Sequence, residues 1–292
     1  MSEYGQVFEN VNLKDYTTLK VGGTAKYLVK VFDEESLSNL IAYLKNKNIK
    51  YYILGNGSNV ILDDSYFDGV IIKLDNLNKI AKDGNLITAG AGVMLPVLVK
   101  ACFDFGFSDL AFLGMIPGNV GGSVVGNAGC YGDEIMNYVK TVIALDKDGK
   151  IKVFDKNDIS FGYRFTSLKD KYIILAVIFV LSNTLVTEGK NNMKIWNEKR
   201  IAMQPLDRPN CGSVFRNPEN ASAGKLIDEA GLKGYQIGGA RVSDKHANFI
   251  VNENGATFED VITLINLIKD KIKKNNKLDL VLEPTIVKWE EL

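Results

Sequence analysis

The chain has 292 residues, 46% hydrophobic and 24% charged, and its 35 basic and 35 acidic side chains cancel formally. That balance offers no basic face for general nucleic-acid binding, and no apolar run reaches the roughly 18 residues of a membrane span. The opening Met1-Ser-Glu-Tyr-Gly5 lacks the basic and apolar regions of a secretion signal, so the expectation is a cytoplasmic protein. Three cysteines, Cys102, Cys130 and Cys211, form no C-x-x-C pair and are accompanied by one histidine, His246, which argues against a metal site and fits a reducing compartment.

The length suggests two or three domains. Residues 1–72 read as a small α/β unit. Lys26 to Phe32 alternates like a strand, and Asp33 is placed to cap a helix with the apolar stripe Leu37, Leu40, Ile41 and Leu44. Tyr51 to Leu54 reads as a buried strand, Gly55-Asn-Gly-Ser-Asn59 as a loop, and Val60 to Leu62 and Val70 to Leu74 as further strands. Residues 73–182 read as a second unit. It has a strand at Leu86 to Ala89, a helix with Pro96 in its first turn running to Phe105, and strands at Thr141 to Asp146 and Ile151 to Phe154 about a Lys147-Asp-Gly-Lys150 turn. Tyr172 to Leu181 is a strand-length apolar run.

Residues 183–278 change character. Thr184 to Lys194 is polar and reads as a connection. Helices are expected over Lys194 to Met203, stopping before Pro205, and over Ala223 to Ala230, closed by Gly231. Thr257-Phe-Glu-Asp260 has the form of a capping box with Asp in place of Glu or Gln. The helix it opens should bury Val261, Leu264, Ile265, Ile268 and Ile272.

Phe112 to Gly132 holds seven of the 27 glycines, yet apolar residues run through it. A flexible linker would be polar, so this segment should be buried with its backbone close to something. Buried N–H groups need acceptors, and a large anion would supply them. The Gly55–Asn59 loop lies between strands, so it is no Rossmann fingerprint, and neither loop ends in Gly-Lys-Ser/Thr. Two readings remain for it, a tight hairpin or an anion nest of successive N–H groups.

Four positions could carry chemistry. Arg164, in Phe161-Gly-Tyr-Arg-Phe165, has an aromatic surround suited to holding a carboxylate or phosphate, or to a salt bridge. Ser213, in Cys211-Gly-Ser-Val-Phe-Arg216, could donate a proton or satisfy a turn; no G-x-S-x-G elbow surrounds it. Glu283 sits among strand-forming residues before Pro284, which marks a strand interruption. It is either a partner to a cation or a tuned catalytic group. His246 reads as a turn histidine; pairing with Cys211 as a thiol nucleophile is the competing reading, with nothing in the sequence to orient the imidazole.

Taken in order, Tyr16-Thr-Thr-Leu-Lys-Val-Gly-Gly23, Leu54-Gly-Asn-Gly-Ser-Asn59, Gly114-Met-Ile-Pro-Gly-Asn-Val-Gly-Gly-Ser123 through Asn127-Ala-Gly-Cys-Tyr-Gly132, Tyr163-Arg164, Cys211-Gly-Ser-Val-Phe-Arg216, Ala223 to Gly234, Gly238-Gly239 and Leu282-Glu-Pro284 resemble the bacterial UDP-N-acetylenolpyruvoylglucosamine reductases. The resemblance covers nearly the whole chain. It implies an α+β fold, with a two-part FAD-binding region of the vanillyl-alcohol-oxidase (PCMH) type and a C-terminal α+β substrate-binding domain. The FAD-binding parts would be residues 1–72, joined by the C-terminal strand within 279–292, and residues 73–182. The substrate domain would be residues 183–278. Only a short polar stretch follows Leu181, which resembles the shorter class of the family, without the tyrosine loop.

The implied activity is NADPH-dependent reduction of UDP-N-acetylglucosamine enolpyruvate to UDP-N-acetylmuramate, in peptidoglycan precursor synthesis. The implied protein is a cytoplasmic monomer that binds a nucleotide sugar and neither nucleic acid nor membrane. In such a fold FAD lies against Gly55, Asn56, Gly57, Ser58 and Asn59, and against Gly114, Ile116, Pro117, Gly118, Gly121, Gly122, Ser123, Asn127, Ala128 and Gly129, with both loops meeting its pyrophosphate through backbone N–H groups. Arg164 and Glu283 would bracket the substrate carboxylate and Ser213 would protonate the neighbouring carbon. Arg216, Asn217 and Lys225 would meet the UDP phosphates. Another FAD oxidoreductase of this fold, or a non-catalytic flavin or nucleotide-sugar binder, are the alternatives. The first should lack the pattern around Ser213 and Glu283, and the second has no need of the three catalytic positions together.

Overall fold

The apolar runs gather into two main sheets in the computed structural model, which describes residues 1–182 and 185–292. One sheet has the spatial order Gly5–Asn12, Thr24–Val31, Phe67–Lys73, Tyr51–Ile53, and its last two strands run parallel, with Tyr51 opposite Val70. Helix α1 (Glu34–Asn46) starts where Asp33 accepts the Ser36 N–H. Its stripe of Leu37, Leu40, Ile41 and Leu44 is fully buried and packs with Val29, Val31, Val70 and Ile72. Burying four such side chains contributes on the order of 6–12 kcal/mol before chain entropy is charged against it.

The second sheet is antiparallel throughout, in the order Ile151–Asp155, Val139–Leu145, Ile173–Val180, Leu86–Gly90, Ile80–Asp83. The turn expected at Lys147–Lys150 closes its first hairpin. Helix α2 (Leu95–Asp104) begins with Pro96 in its first turn, where a missing N–H costs nothing. The short helix α3 (Val120–Val125) rises from the glycine-rich segment. Leu98, Val99, Val124, Val142, Val177 and Phe179 form one core with both helices.

Helix α4 (Val186–Met203) corrects the expected polar connection, because it begins eight residues before Lys194. Only Gly189 is buried along it. A helix without an apolar stripe leaves no 3.6-residue period in the sequence. Thr184 and the boundary placed at residue 183 lie outside the described residues.

Helix α5 (Ala223–Glu229) precedes an antiparallel sheet of Gln236–Ile237, Ala240–Val242 and Ile250–Asn252, and then helix α6 (Phe258–Asn276). The capping box at α6 is complete: Thr257 accepts from Asp260 N–H and the Asp260 carboxylate accepts from Thr257 N–H. Asp performs the reciprocal bond as Glu would. Its carboxyl is held below the usual range, chiefly by that Thr257 N–H. The expected Val261, Leu264, Ile265, Ile268 and Ile272 are the buried face. The terminal strand Thr285–Val287 pairs in parallel with Val60–Leu62.

The chain divides into two compact units: Met1–Glu9, Tyr27–Gly55 and Gly69–Asn197 form one, and Asn10–Lys26, Asn56–Asp68 and Glu198–Leu292 the other. Among the described residues no helix is long and apolar enough to cross a membrane. Thr257→Ala removes one half of the α6 cap and should lower stability by about 1 kcal/mol, while Thr257→Ser should hold within a few tenths. Urea denaturation of both variants checks this, and equal midpoints would remove the cap from the account.

Candidate active site

The Gly55–Asn59 loop is defined by what holds its carbonyls. In the first unit, the Lys73 ammonium donates to the Gly55 carbonyl. In the second, Thr18 N–H donates to the Gly57 carbonyl at 3.1 Å and Thr285 N–H to the Asn59 carbonyl at 3.0 Å. In a trans peptide the C=O and the following N–H point in opposite directions. Tying the Gly57 carbonyl inward therefore turns the Ser58 N–H away from its anchor. The N–H groups of Gly55, Gly57, Ser58 and Asn59 have no partner among the described residues. The flanking strands pair elsewhere, Tyr51–Ile53 with Phe67–Lys73 and Val60–Leu62 with Thr285–Val287, so the loop is not the turn of a hairpin. Gly57 has φ +66°, and a Cβ there would lie 2.0 Å from the Tyr16 carbonyl oxygen, so only glycine allows the Tyr16–Thr18 turn to press on the loop.

The glycine-rich segment, all in the first unit, differs from this. Its Val120 and Gly121 N–H groups donate to Val93 and Ala91 carbonyls at 2.8 and 3.0 Å, Gly118 N–H to Ile116, and Ser123 N–H to Asn119. These donors are consumed internally. Gly121 is needed for packing, since a Cβ there would sit 2.9 Å from that of Ala91. What the segment does present is a side chain. Asn119 is 8% exposed; its amide nitrogen donates to the Gly92 carbonyl at 2.7 Å, while its Oδ1 is buried with no hydrogen-bond partner. That oxygen lies 3.3 Å from where a Gly55 Cβ would be, within the first unit.

The end of the segment is a scaffold for Arg164. Asn127, expected at the cofactor, is fully buried with its amide nitrogen on the Gly162 carbonyl at 2.9 Å and its oxygen accepting from Met136 N–H at 3.3 Å, so its side chain holds the protein together. The buried Thr166 hydroxyl donates to the Val125 carbonyl at 2.8 Å. Between these anchors the hairpin Phe161–Gly162 with Phe165–Thr166 carries Arg164 at φ +56°. Its guanidinium donates to the Gly129 carbonyl at 2.8 Å and lies 5.1 Å from the centroid of the Tyr163 ring. Arg164 is half-buried, as its aromatic setting suggests.

In the second unit, Ser213 and Glu283 are on neighbouring segments. Phe215 bridges Leu282, Glu283 N–H donates to the Val214 carbonyl at 3.0 Å, and Arg216 N–H to Val281 at 2.8 Å. Pro284, with no N–H, falls where the chain leaves this partner and joins Val60–Leu62. The Asn59 side chain donates to the Glu283 carbonyl at 3.3 Å, and Thr18 donates from its hydroxyl to the Asn210 carbonyl at 2.6 Å. Thus the cofactor-loop residues 56–59, the Ser213 turn and Glu283 share one hydrogen-bonded frame. The Ser213 hydroxyl is half-buried and has no hydrogen-bond partner among the described residues. Glu283 is half-exposed, less buried than its apolar neighbours imply.

The remaining candidates are dispersed in role. The Arg216 Nε is buried with no hydrogen-bond partner among the described residues. Asn217 Oδ1 accepts from Ala223 N–H at 3.1 Å at the start of α5. Lys225 is exposed and pairs with Glu229 one turn on. Burial pushes the Cys211 thiol up to about 12, which removes it as a nucleophile near neutral pH. His246 Nδ1 accepts from Asn248 N–H at 3.2 Å, and burial lowers its pKa; it is a turn histidine. Sequence reasoning gave no role to Thr18 or Asn119, though both lie in motifs it singled out, and passed over Lys73.

Residues 25–155 match the family described as FAD binding domain. Residues 204–287 match that of the UDP-N-acetylenolpyruvoylglucosamine reductase C-terminal domain. The reductase of that name from Carboxydothermus hydrogenoformans is 42% identical over 96% of this chain and 94% of its own length. The one from Caldanaerobacter subterraneus subsp. tengcongensis is 38% identical over 97% and 94%. The crystal structure of the Thermus caldophilus reductase superposes with a TM-score of 0.84 at 34% identity, over 98% of this chain and all of that one. The chain belongs to the UDP-N-acetylenolpyruvoylglucosamine reductase family, and the α+β fold expected for it, FAD-binding region plus C-terminal domain, is borne out.

Gly57→Ala sets a left-handed backbone against a clash with main chain and should cost about 2 kcal/mol or more. Gly84→Ala, at φ +58° with nothing within 4 Å, should cost only about 1 kcal/mol. Thermal melts of the two variants test the contrast, and similar losses would mean that the contact with Tyr16 is not what requires glycine.

Proposed function

We propose that the chain is an NADPH-dependent flavoenzyme that reduces UDP-N-acetylglucosamine enolpyruvate to UDP-N-acetylmuramate. The observation that carries the catalytic reading is the backbone pairing of the Ser213 turn with the Glu283 segment, beside the loop whose amides are open. The residues present fit FAD. Unpaired amides at Gly57, Ser58 and Asn59 suit a pyrophosphate, and the buried Asn119 Oδ1 needs a donor such as a hydroxyl of the cofactor. FAD, when bound, supplies the relay of hydride from NADPH to the enolpyruvyl methylene carbon.

The chain's own residues manage the charge and the proton. Electron density pushed onto the substrate carboxylate needs donors already in place. Arg164 supplies positive charge from a hairpin anchored by Asn127 and Thr166. Glu283, in its protonated form, donates a hydrogen bond to the same carboxylate. Ser213 gives its proton to the carbon next to it; a hydroxyl is a weak acid, but an enolate-like neighbour is a strong base and proximity suffices. Arg216, Asn217 and Lys225 would meet the UDP phosphates, with the buried Arg216 Nε the donor most in need of one.

The same reading assigns FAD binding to residues 1–72 with the C-terminal strand and to 73–182, and substrate binding to 183–278. It makes the protein a cytoplasmic monomer that works on a small nucleotide sugar, with no nucleic acid and no membrane.

In anaerobic stopped-flow, NADPH should bleach the flavin band and UDP-N-acetylglucosamine enolpyruvate should restore it. Bleaching without restoration would keep the flavin and replace the substrate. Ser213→Ala should leave bleaching intact and slow restoration about a hundredfold or more; equal slowing of both halves would sink the proton-donor role. Glu283→Gln should act on the second half too, and a protein emptied of FAD would instead make Glu283 structural.

A further inference from the structure

Lys73 ends the strand Phe67–Lys73 and is 6% exposed. A lysine at that depth forfeits its hydration, which is costly unless the charge is met by partners. Its ammonium has two: the Gly55 carbonyl and the Asp75 carboxylate at 3.4 Å. Asp75 is shared with Lys30 at 3.9 Å and is 41% exposed, so water and a second cation dilute its charge. The nearby Lys30 adds like charge, and burial lowers the Lys73 pKa while Asp75 opposes the shift. Nothing in the reaction steps above uses this buried cation, yet it grips the first carbonyl of the loop.

We propose that Lys73 is a positioning residue for the cofactor phosphates. Holding the Gly55 carbonyl against the strand end fixes the peptide plane at the start of the loop, and the ammonium places a fixed positive charge at that end of it. Neutral residues can pin a carbonyl, as Thr18 does at Gly57. A buried lysine adds charge where the ligand is most negative. The inference rests on the flavin reading above.

The test is titration of apoprotein with FAD, followed by quenching of flavin fluorescence at low and high salt, with the apoprotein melting temperature measured alongside. Lys73→Met should weaken FAD binding by about tenfold or more, the scale of a lost charge-assisted hydrogen bond. Lys73→Arg should recover most of that loss. Asp75→Asn removes the competing carboxylate and should bind FAD as tightly as wild type or tighter. Lys73→Met binding within about twofold of wild type would overturn the proposal. So would Asp75→Asn weakening FAD as much as Lys73→Met does, because the ion pair would then simply build the strand end. Should Lys73→Met fail to fold, Lys73→Arg and Asp75→Asn still decide between the two roles. A wild-type apoprotein that takes up no FAD would sink the flavin reading itself, and this inference with it.

Discussion

The loop at residues 55–59 has no regular structure of its own, and three of its carbonyls are held from outside. Lys73 takes the first, Thr18 the second and Thr285 the third. Because a peptide unit is rigid, fixing alternate carbonyls fixes the amides between them. The anchors come from the end of an apolar strand, from the turn before Gly22-Gly23 and from the C-terminal strand. The C-terminal strand matters twice, because the same few residues pair Glu283 with the Ser213 segment just before Thr285 reaches the loop.

The two glycine-rich stretches do different work despite similar composition. The first needs glycine at a left-handed position under a pressing turn. The second spends its glycines on close packing, with amides bonded to Ala91 and Val93, and then supplies side-chain anchors for a hairpin. Arg164 depends on that hairpin. A long side chain on a two-residue turn would wander unless its base were fixed. The flanking bonds to Gly162 and Val125 fix the base, and the bond to Gly129 fixes the head.

Much of this was legible in the sequence, for reasons that differ by element. The stripe of α1, the capping box of α6 and the hairpin at Lys147–Lys150 are local patterns, and each formed where the residues placed it. Ser213 and Glu283 stood out as polar residues set in apolar runs, and backbone pairing brings them onto neighbouring segments. Helix α4 was missed at its start because a helix with almost nothing to bury has no period to read. The internal consumption of the Val120 and Gly121 amides was invisible because their acceptors lie about thirty residues away, in the turn that follows the strand Leu86–Gly90. Lys73 was passed over for a related reason: a lysine closing an apolar strand reads as the point where the chain reaches water, and only the tertiary fold keeps water out.

A cradle made of main-chain amides registers negative charge and the spacing of oxygens, but it cannot sense what is esterified to the phosphates. The side chain at Ser58 is then open to drift in a way that Gly57 is not. The choice among the dinucleotides of a cell must be made elsewhere, by groups that recognise a ring or a sugar. Among side chains outside the loop, Asn119 has a buried oxygen with no hydrogen-bond partner among the described residues, the kind of acceptor on which such a choice would turn. A pyrophosphate offering it no hydrogen would leave the oxygen dry and unpaired, and the chain would discriminate by that penalty rather than by any extra attraction.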